Sequence, residues 1–220
     1  MFAHFGLCLL GVTLLLPSTR PALAAEKARS ATCPKDVASL LAPFASLQAV
    51  RVDFVEEKHI AILLKPLINR GTIAFMAPDQ LVRSVQAPEA SAVWLRQGQL
   101  WVRDASGERK LDVGKWGPAN VLVNSFLYVL RGDVENLQRH YNLQLTCQGS
   151  TWTLRLVPKD KALLRLIQFL SVVGQGDQPN SLEMLDGSGD RSLTRFINHE
   201  RNARLSMKQL QELFSNSARK

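Results

Sequence analysis

Residues suited to metal or redox chemistry are scarce in this chain. It contains three cysteines and four histidines among 220 residues. Beyond the N-terminal apolar segment the histidines are His59, His140 and His199, and none has a second histidine, a cysteine or paired carboxylates at metal-ligand spacing. The sequence therefore indicates no metal site, and we expect no cofactor.

Catalytic motifs are also lacking, and no glycine-rich phosphate loop occurs. Ser188 lies between Gly187 and Gly189, but its surroundings predict a hairpin turn and not the strand-to-helix elbow of a nucleophilic serine. Glu56 and Glu57 are adjacent, so in a strand they point to opposite faces, which favours solvent or rim charges over paired acid-base work. We expect a protein that is not an enzyme.

Long hydrophobic runs are absent except near the N-terminus, where residues 5–16 are apolar. This run is followed by the small-residue triplet Ala22-Leu23-Ala24, the arrangement of a secretory signal peptide. The alternative is an uncleaved anchor, for which the run is too short to span a bilayer comfortably. We expect residues 1–24 to be a signal peptide cleaved after Ala24, and the protein to be exported.

The mature chain, residues 25–220, has the composition of one globular domain with a sizeable core. Loss of the signal peptide removes Arg20 and no acid, leaving 26 Lys and Arg against 19 Asp and Glu. The basic residues are spread out, and export argues against nucleic acid as a partner. Cys33 and Cys147 remain, either as two thiols or as a disulfide contributing roughly 4 kcal/mol.

The stretch 52–88 shows the clearest alternation of the chain and predicts strands of an antiparallel meander. The residues that recur at every second position are Val52 and Phe54, then Ile73 and Phe75, then Leu81, Arg83 and Val85.

Short alternating runs continue through most of the chain. Residues 92–113 predict a hairpin and a third return, and 141–158 and 182–197 predict two further hairpins. Between the last two, residues 162–173 are compatible with a helix or a buried strand, and we favour a turn of helix followed by a strand.

Helical periodicity appears in four places. Residues 34–47 predict a helix that is kinked or split at Pro43. Residues 121–130 are apolar nearly all round, which predicts a helix buried between the sheet and its loops, and 133–140 predict a second helix after it. Ser206 is suited to cap a tail helix. One side of that tail helix carries Met207, Leu210, Leu213 and Phe214.

These elements predict a mainly β fold of the α+β class, in which a curved antiparallel sheet is covered by apolar helices acting as a lid. The covered space is either a filled core or a cavity for hydrocarbon, where burial stabilises by about 0.8 kcal/mol per methylene. The candidate cavity-lining or lid residues are Phe44, Phe54, Ile73, Phe75, Leu81, Arg83, Val85, Trp101, Phe126 and Leu154.

The order of several short motifs resembles one known family. The motifs are Phe54 with Glu56, Gly71-x-Ile73-x-Phe75, Pro78 with Leu81 and Pro88, Gly98-x-Leu100-Trp101, Leu154-x-Leu156-x-Pro158, and Asp186-Gly187 before Thr194-x-Phe196. With a signal peptide ahead of them, they resemble LolA, the periplasmic lipoprotein carrier of Gram-negative bacteria.

The resemblance implies an incomplete antiparallel β-barrel whose helices form a lid over an apolar cavity. It implies a monomeric periplasmic carrier that shields lipoprotein acyl chains between the inner and outer membranes. The implied partners are acylated lipoproteins or lipids, an inner-membrane lipoprotein-releasing transporter and an outer-membrane receptor lipoprotein.

Two positions depart from the family pattern. Ala77 stands where the family usually has the arginine that closes the lid, and Arg83 stands where an aromatic is usual. Inside a cavity Arg83 needs a carboxylate or a polar ligand head; otherwise it is a rim residue with its head in water. These departures leave room for a divergent paralogue that carries another acylated glycolipid or a pigment precursor. A separate alternative is a lipid-binding sensor domain.

Overall fold

A computed structural model of the protein describes residues 33–216. Within them, 11 strands form one sheet in the order β6-β5-β4-β3-β2-β1-β11-β10-β9-β8-β7. Every neighbouring pair is antiparallel, and β6 and β7 are the two free edges, so the sheet is not closed into a barrel. The predicted fold class is confirmed. The strands are β1 Ala49–His59, β2 Leu67–Met76, β3 Gln80–Ala87, β4 Ser91–Arg96, β5 Gln99–Asp104, β6 Gly107–Asp112, β7 Tyr141–Gln148, β8 Thr151–Pro158, β9 Ile167–Gln175, β10 Gln178–Asp186 and β11 Arg191–Arg201.

The alternation seen in the sequence sets the register of the central strands. Val52 lies opposite Ile73, and Phe54 lies opposite Gly71. A Cβ atom on Gly71 would lie 2.9 Å from the Phe54 ring and 2.0 Å from the backbone oxygen of Ser84. Only glycine allows this close approach of strand, ring and neighbouring strand.

The first helix differs in its start from the sequence prediction. It begins at Val37 and not at Pro34, because the Asp36 carboxylate accepts a hydrogen bond from the Ser39 backbone N–H and forms a capping box. Pro43 lies inside the helix, which is not split there. Within the described residues the helices are α1 Val37–Ala45, α2 Pro118–Leu130, α3 Val134–His140, α4 Lys161–Leu164 and α5 Met207–Asn216, and a 3-10 turn spans Val113–Trp116.

Helix α2 was predicted to be buried between the sheet and its loops, but its burial is only partial. Among its residues only Ser125 and Leu127 are fully buried, and its other apolar side chains are half-buried. The reason is that one side of α2 faces a cavity. The turn after α2 is pressed against α1, since a Cβ on Gly132 would lie 2.7 Å from the carbonyl oxygen of Leu41.

Helices cover both faces of the sheet. On the face that we call inner, α1 to α4 pack with the strands around the main core. On the outer face, Leu210 and Phe214 of α5 pack against Val82 and Trp94. The predicted tail helix is therefore present with Ser206 at its start, but Met207 is 47% exposed and does not join the packed side.

A disulfide joins Cys33 to Cys147, with their Cα atoms 6.1 Å apart. It ties the segment before α1 to the edge strand β7. The predicted signal peptide, residues 1–24, and its cleavage after Ala24 lie outside the described residues. Within the described part of the chain, no helix combines the length and hydrophobicity needed to cross a membrane.

Candidate functional site

A cavity of about 1140 Å³ lies between the inner face of the sheet and the helices α1 and α2. It is larger than the roughly 300–1,000 Å³ of ordinary small-molecule pockets. Its wall is mostly apolar because the strands present every second side chain to it. Apolar lining residues from the sheet include Val50, Val52, Ile73, Leu81, Val93, Leu95, Leu156, Leu170, Val172, Leu182 and Met184, and the helices add Phe44, Val123, Phe126, Val129 and Leu130.

The cavity is elongated along the central strand. Val50 and Lys58, at opposite ends of β1, both line it. Eight residues of strand at about 3.3 Å each separate them by roughly 26 Å. The hydrocarbon core of a bilayer is ~30 Å thick, so one acyl chain needs about half of that length. The cavity is therefore long enough for an extended acyl chain.

One region of the wall is polar. Arg83 on β3 donates from Nη2 to Glu56 Oε2 on β1 at 2.9 Å, and Asn69 on β2 donates to the same oxygen at 2.6 Å. All three residues line the cavity. The interpretation of Glu56 as a solvent or rim charge is wrong, because its side chain is only 14% exposed and faces the cavity. The Glu57 side chain contacts His59 instead.

Arg83 shows features of both sequence-based alternatives, a carboxylate partner inside the cavity and a rim position with access to water. Its guanidinium pairs with Glu56, and it also lies over the Phe54 ring at 4.6 Å from the ring centroid. Its side chain is still 34% exposed. The carboxylate and the ring offset the cost of placing a cation in an apolar wall.

The structure brings together only part of the predicted site. The predicted residues that line the cavity are Phe44, Ile73, Leu81, Arg83 and Phe126.

The other predicted site residues do not line the cavity. Phe54 lies beneath Arg83 and against Gly71, so no cavity space reaches it. Phe75 and Leu154 are packed in the main core, and Val85 is also buried. Trp101 was predicted on the wrong face: it packs against the outer cluster under α5, and its neighbour Leu100 lines the cavity.

An arginine that the sequence reasoning missed contacts the lid. Arg201, near the end of β11, donates from Nη2 to the carbonyl oxygen of Pro43 in α1 at 3.3 Å and lies 5.8 Å from the Phe44 ring centroid. The same guanidinium forms an ion pair with the Asp177 carboxylate. Ala77, the position of the family's lid-closing arginine, packs against the main core. The arginine that contacts the covering helix α1 therefore lies on β11.

Burial perturbs one ionisable group of the cavity wall, His199, and one of the main core, Tyr141. It lowers the pKa of His199, which lines the cavity, against an opposing hydrogen bond with the Phe196 backbone. It raises the pKa of Tyr141, whose hydroxyl is 2.8 Å from the Ser125 hydroxyl of α2; that hydrogen bond opposes the shift, and nearby Tyr128 adds to it. Neutral His199 and neutral Tyr141 are the favoured forms near neutral pH.

Within residues 33–216, no cluster of three or more His, Cys, Asp or Glu side chains suited to a metal ion occurs. Ser188 lies in the exposed turn between β10 and β11, where its hydroxyl donates to the Asp186 carboxylate at 2.6 Å.

Comparison with protein families gives one match. The model for LolA-like outer membrane lipoprotein carrier proteins matches residues 28–209. No curated protein matches the chain.

Several solved structures are similar to this chain at low sequence identity. A LolA superfamily protein from Nitrosomonas europaea is 12% identical, with a TM-score of 0.44 over 82% of this chain and 98% of that one. A DUF1329 family protein from Desulfovibrio piger is 14% identical, with a TM-score of 0.44 over 83% of this chain and 96% of that one. The match to the Pseudomonas aeruginosa MucA/MucB complex is 16% identical, with a TM-score of 0.46 over 80% of this chain and 59% of that one. Similarities of this size support no functional assignment.

Proposed function

Because the chain belongs to the LolA-like family of outer membrane lipoprotein carrier proteins, we propose that residues 25–220 act as a single periplasmic carrier domain. In this proposal the signal peptide of residues 1–24 directs export. The cavity shields the acyl chains of a lipoprotein between the inner and outer membranes. An inner-membrane lipoprotein-releasing transporter delivers the cargo, and an outer-membrane receptor lipoprotein accepts it.

The observation that supports this proposal most is the elongated apolar cavity of about 1140 Å³ under α1 and α2. Each methylene moved from water into such a space is stabilised by about 0.8 kcal/mol. An acyl chain of ordinary length therefore gains enough to hold it during transit. The protein part of a lipoprotein cargo stays outside.

A carrier must also release its cargo, which requires a cover that moves. Helix α1 is the proposed cover. One of its contacts with the rest of the molecule is the hydrogen bond from Arg201 to the Pro43 carbonyl oxygen, which can break and form again. The disulfide between Cys33 and Cys147 keeps the segment before α1 attached when the cover opens. Movement of α1 then exposes the end of the cavity next to Phe44 and Val50.

A second candidate function is transport of a free lipid and not of a lipoprotein. The ion pair between Glu56 and Arg83 in the cavity wall favours this function. A purely hydrocarbon ligand could not form hydrogen bonds with these two side chains, whereas a lipid with a polar head could. Ala77 in place of the lid-closing arginine also agrees with a cargo that differs from the usual one. Glycolipids and acylated pigment precursors are cargoes of this kind.

The experiment is to express the full chain in a Gram-negative bacterium, purify it from the periplasm and analyse it by native mass spectrometry. A bound lipoprotein supports the first function, and a bound free lipid supports the second. A cavity that stays without any lipid, in the purified protein and after incubation with membrane extract, contradicts both.

The same sample tests export. N-terminal sequencing of the periplasmic protein is expected to begin at Ala25. A chain that starts at Met1 and stays in the membrane fraction contradicts the predicted cleavage.

A further inference from the structure

The polar region of the cavity wall has a defined layout across four strands. Glu56 on β1 lies opposite Asn69 on β2 and opposite Thr194 on β11. Two residues further along β1, Lys58 lies opposite Ser192 of β11. All five line the cavity, as does Arg83. The rest of the wall near β8 and β9 is hydrocarbon, for example Leu156 and Leu170.

Positive side chains outnumber negative ones in this polar region of the wall. Arg83 is paired with Glu56, whereas Lys58 has no carboxylate within ion-pair distance among the described residues. Over the whole cavity wall the lysine and arginine side chains outnumber the carboxylates. The cationic ones are Lys58, Arg83 and Arg201, and the anionic ones are Glu56 and Asp177.

This excess positive charge selects among ligand head groups. A carboxylate or phosphate oxygen accepts a charge-assisted hydrogen bond from Lys58, and such bonds are about twice as strong as neutral ones. Beside an apolar wall the attraction is less screened than in bulk water. The carboxylate of Glu56 holds the guanidinium of Arg83 over the Phe54 ring, so the second cation is already oriented. An ammonium head meets net repulsion in the same place.

We propose that Lys58 and Arg83, the latter held in place by Glu56, bind the anionic head of a lipid whose tail lies in the apolar part of the cavity. The head is a carboxylate or a phosphate. This inference rests on the proposed function in so far as a hydrocarbon tail fills the cavity. It adds that the ligand is held by its head as well as by its tail.

The test compares four ligands with one tail: hexadecanoate, hexadecyl phosphate, hexadecanol and hexadecylamine. Each displaces a fluorescent uncharged hydrocarbon from the delipidated mature protein at pH 7. We expect at least one of the two anions to bind about tenfold more tightly than hexadecanol, and hexadecylamine to bind no better than hexadecanol. The tighter of the two anions identifies the head as carboxylate or phosphate.

Variants assign the effect to the head site. Lys58→Met is expected to remove most of the ratio between the affinity for the anion and the affinity for hexadecanol. Lys208→Met, on the outer helix α5 and 86% exposed, is the matched control and is expected to change neither affinity. Because the Lys58 ammonium forms no ion pair in the described part of the chain, its loss leaves no buried charge without a partner.

The outcomes separate the two levels of the proposal. Equal affinities for anion, alcohol and amine overturn the head site while the hydrocarbon-binding function stands. Tightest binding of hexadecylamine overturns it as well, since Glu56 then dominates. Failure of all four ligands to displace the hydrocarbon probe overturns the proposed function itself.

Discussion

The guanidinium of Arg201 donates a hydrogen bond to the carbonyl oxygen of Pro43 at 3.3 Å, across 158 positions of sequence. Pro43 lies in the last turn of α1, where carbonyl groups have no partner within the helix. The Ser46 hydroxyl donates to the same oxygen at 3.2 Å. Arg201 thus connects the end of the sheet to the helix that covers the cavity.

Substitution of Arg201 by Met is expected to loosen α1 without unfolding the protein. The loss of the charged donor is expected to cost about 1.5–3 kcal/mol of unfolding free energy at most, because the Pro43 oxygen keeps its hydrogen bond from the Ser46 hydroxyl. Release of a bound hydrocarbon probe is expected to become several-fold faster, as measured by stopped-flow fluorescence.

The matched control for this prediction is Arg195→Met, an exposed arginine on the same strand. It is expected to release the probe at the wild-type rate. Equal release rates for the Arg201 and Arg195 variants contradict a role of Arg201 in holding the lid.

The disulfide between Cys33 and Cys147 closes a loop with a sequence separation of 114. Chain-entropy models assign about 4.7 kcal/mol to a loop of this length. The double variant Cys33→Ser with Cys147→Ser is therefore expected to lose a few kcal/mol of unfolding free energy, measured by urea denaturation. Reduced wild-type protein is the control and is expected to match the double variant. A reductant without effect on the wild-type midpoint contradicts the prediction.

Much of the fold was predictable because alternation and helical spacing are local signals. The hairpins, the apolar helices and the turn of helix before β9 all follow from neighbouring residues, and the predicted family is confirmed by the match over residues 28–209. The start of α1 was missed because a capping box at Asp36 determines it and not the proline that precedes it. Trp101 was placed on the wrong face because Leu100 and Trp101 are both large and apolar, so alternation alone does not choose between them.

The site was less predictable than the fold because its polar contacts join distant strands. Glu56 and Arg83 are 27 positions apart, with β2 between their strands. The sequence shows that Glu56 and Arg83 are charged, but no local pattern indicates that they form an ion pair with each other. The contact of Arg201 with α1 depends on where the last strand ends relative to the first helix, which no local pattern contains.

Gly71→Ala is expected to destabilise the protein by about 1–3 kcal/mol or more, because the added methyl meets the Ser84 backbone oxygen and the Phe54 ring. The displaced ring also moves Arg83, which lies over it. Gly114→Ala is the control, since its methyl would meet only the Asp112 side chain, at 3.3 Å. Urea denaturation of both variants checks the prediction, and equal midpoints contradict it.

Tyr141 gives a prediction about pH. Burial raises its pKa above the ordinary value, so the folded state favours the protonated phenol. This contribution to stability is fully present below the unfolded-state pKa of about 10 and is lost as the pH rises through the folded-state pKa. Tyr141→Phe is expected to lose about 1 kcal/mol near pH 8 and to lose less additional stability than wild type between pH 9 and pH 11.

The measurement is the unfolding free energy of both proteins from urea titrations across that pH range. Tyr128→Phe tests the smaller contribution of the neighbouring phenol, which adds to the raised pKa of Tyr141, and it is expected to keep most of the wild-type pH dependence because the phenol of Tyr141 stays in place. Parallel pH profiles for wild type and Tyr141→Phe contradict the assignment.

The cavity can be tested by filling it. Val172 lines the cavity wall on β9, whereas Val82 is fully buried in the packed cluster under α5. Val82→Phe is expected to cost about 1–3 kcal/mol of unfolding free energy, because a packed core has no room for the ring. Val172→Phe is expected to stay within about 0.5 kcal/mol of wild type in unfolding free energy, since its ring enters open space.

The ring introduced at this position takes the place of hydrocarbon ligand, so the affinity for a hexadecyl chain is expected to fall roughly tenfold in Val172→Phe. Equal destabilisation by the two substitutions, with ligand affinity unchanged at Val172→Phe, means that the space beside β9 is filled by side chains and that no acyl chain binds there.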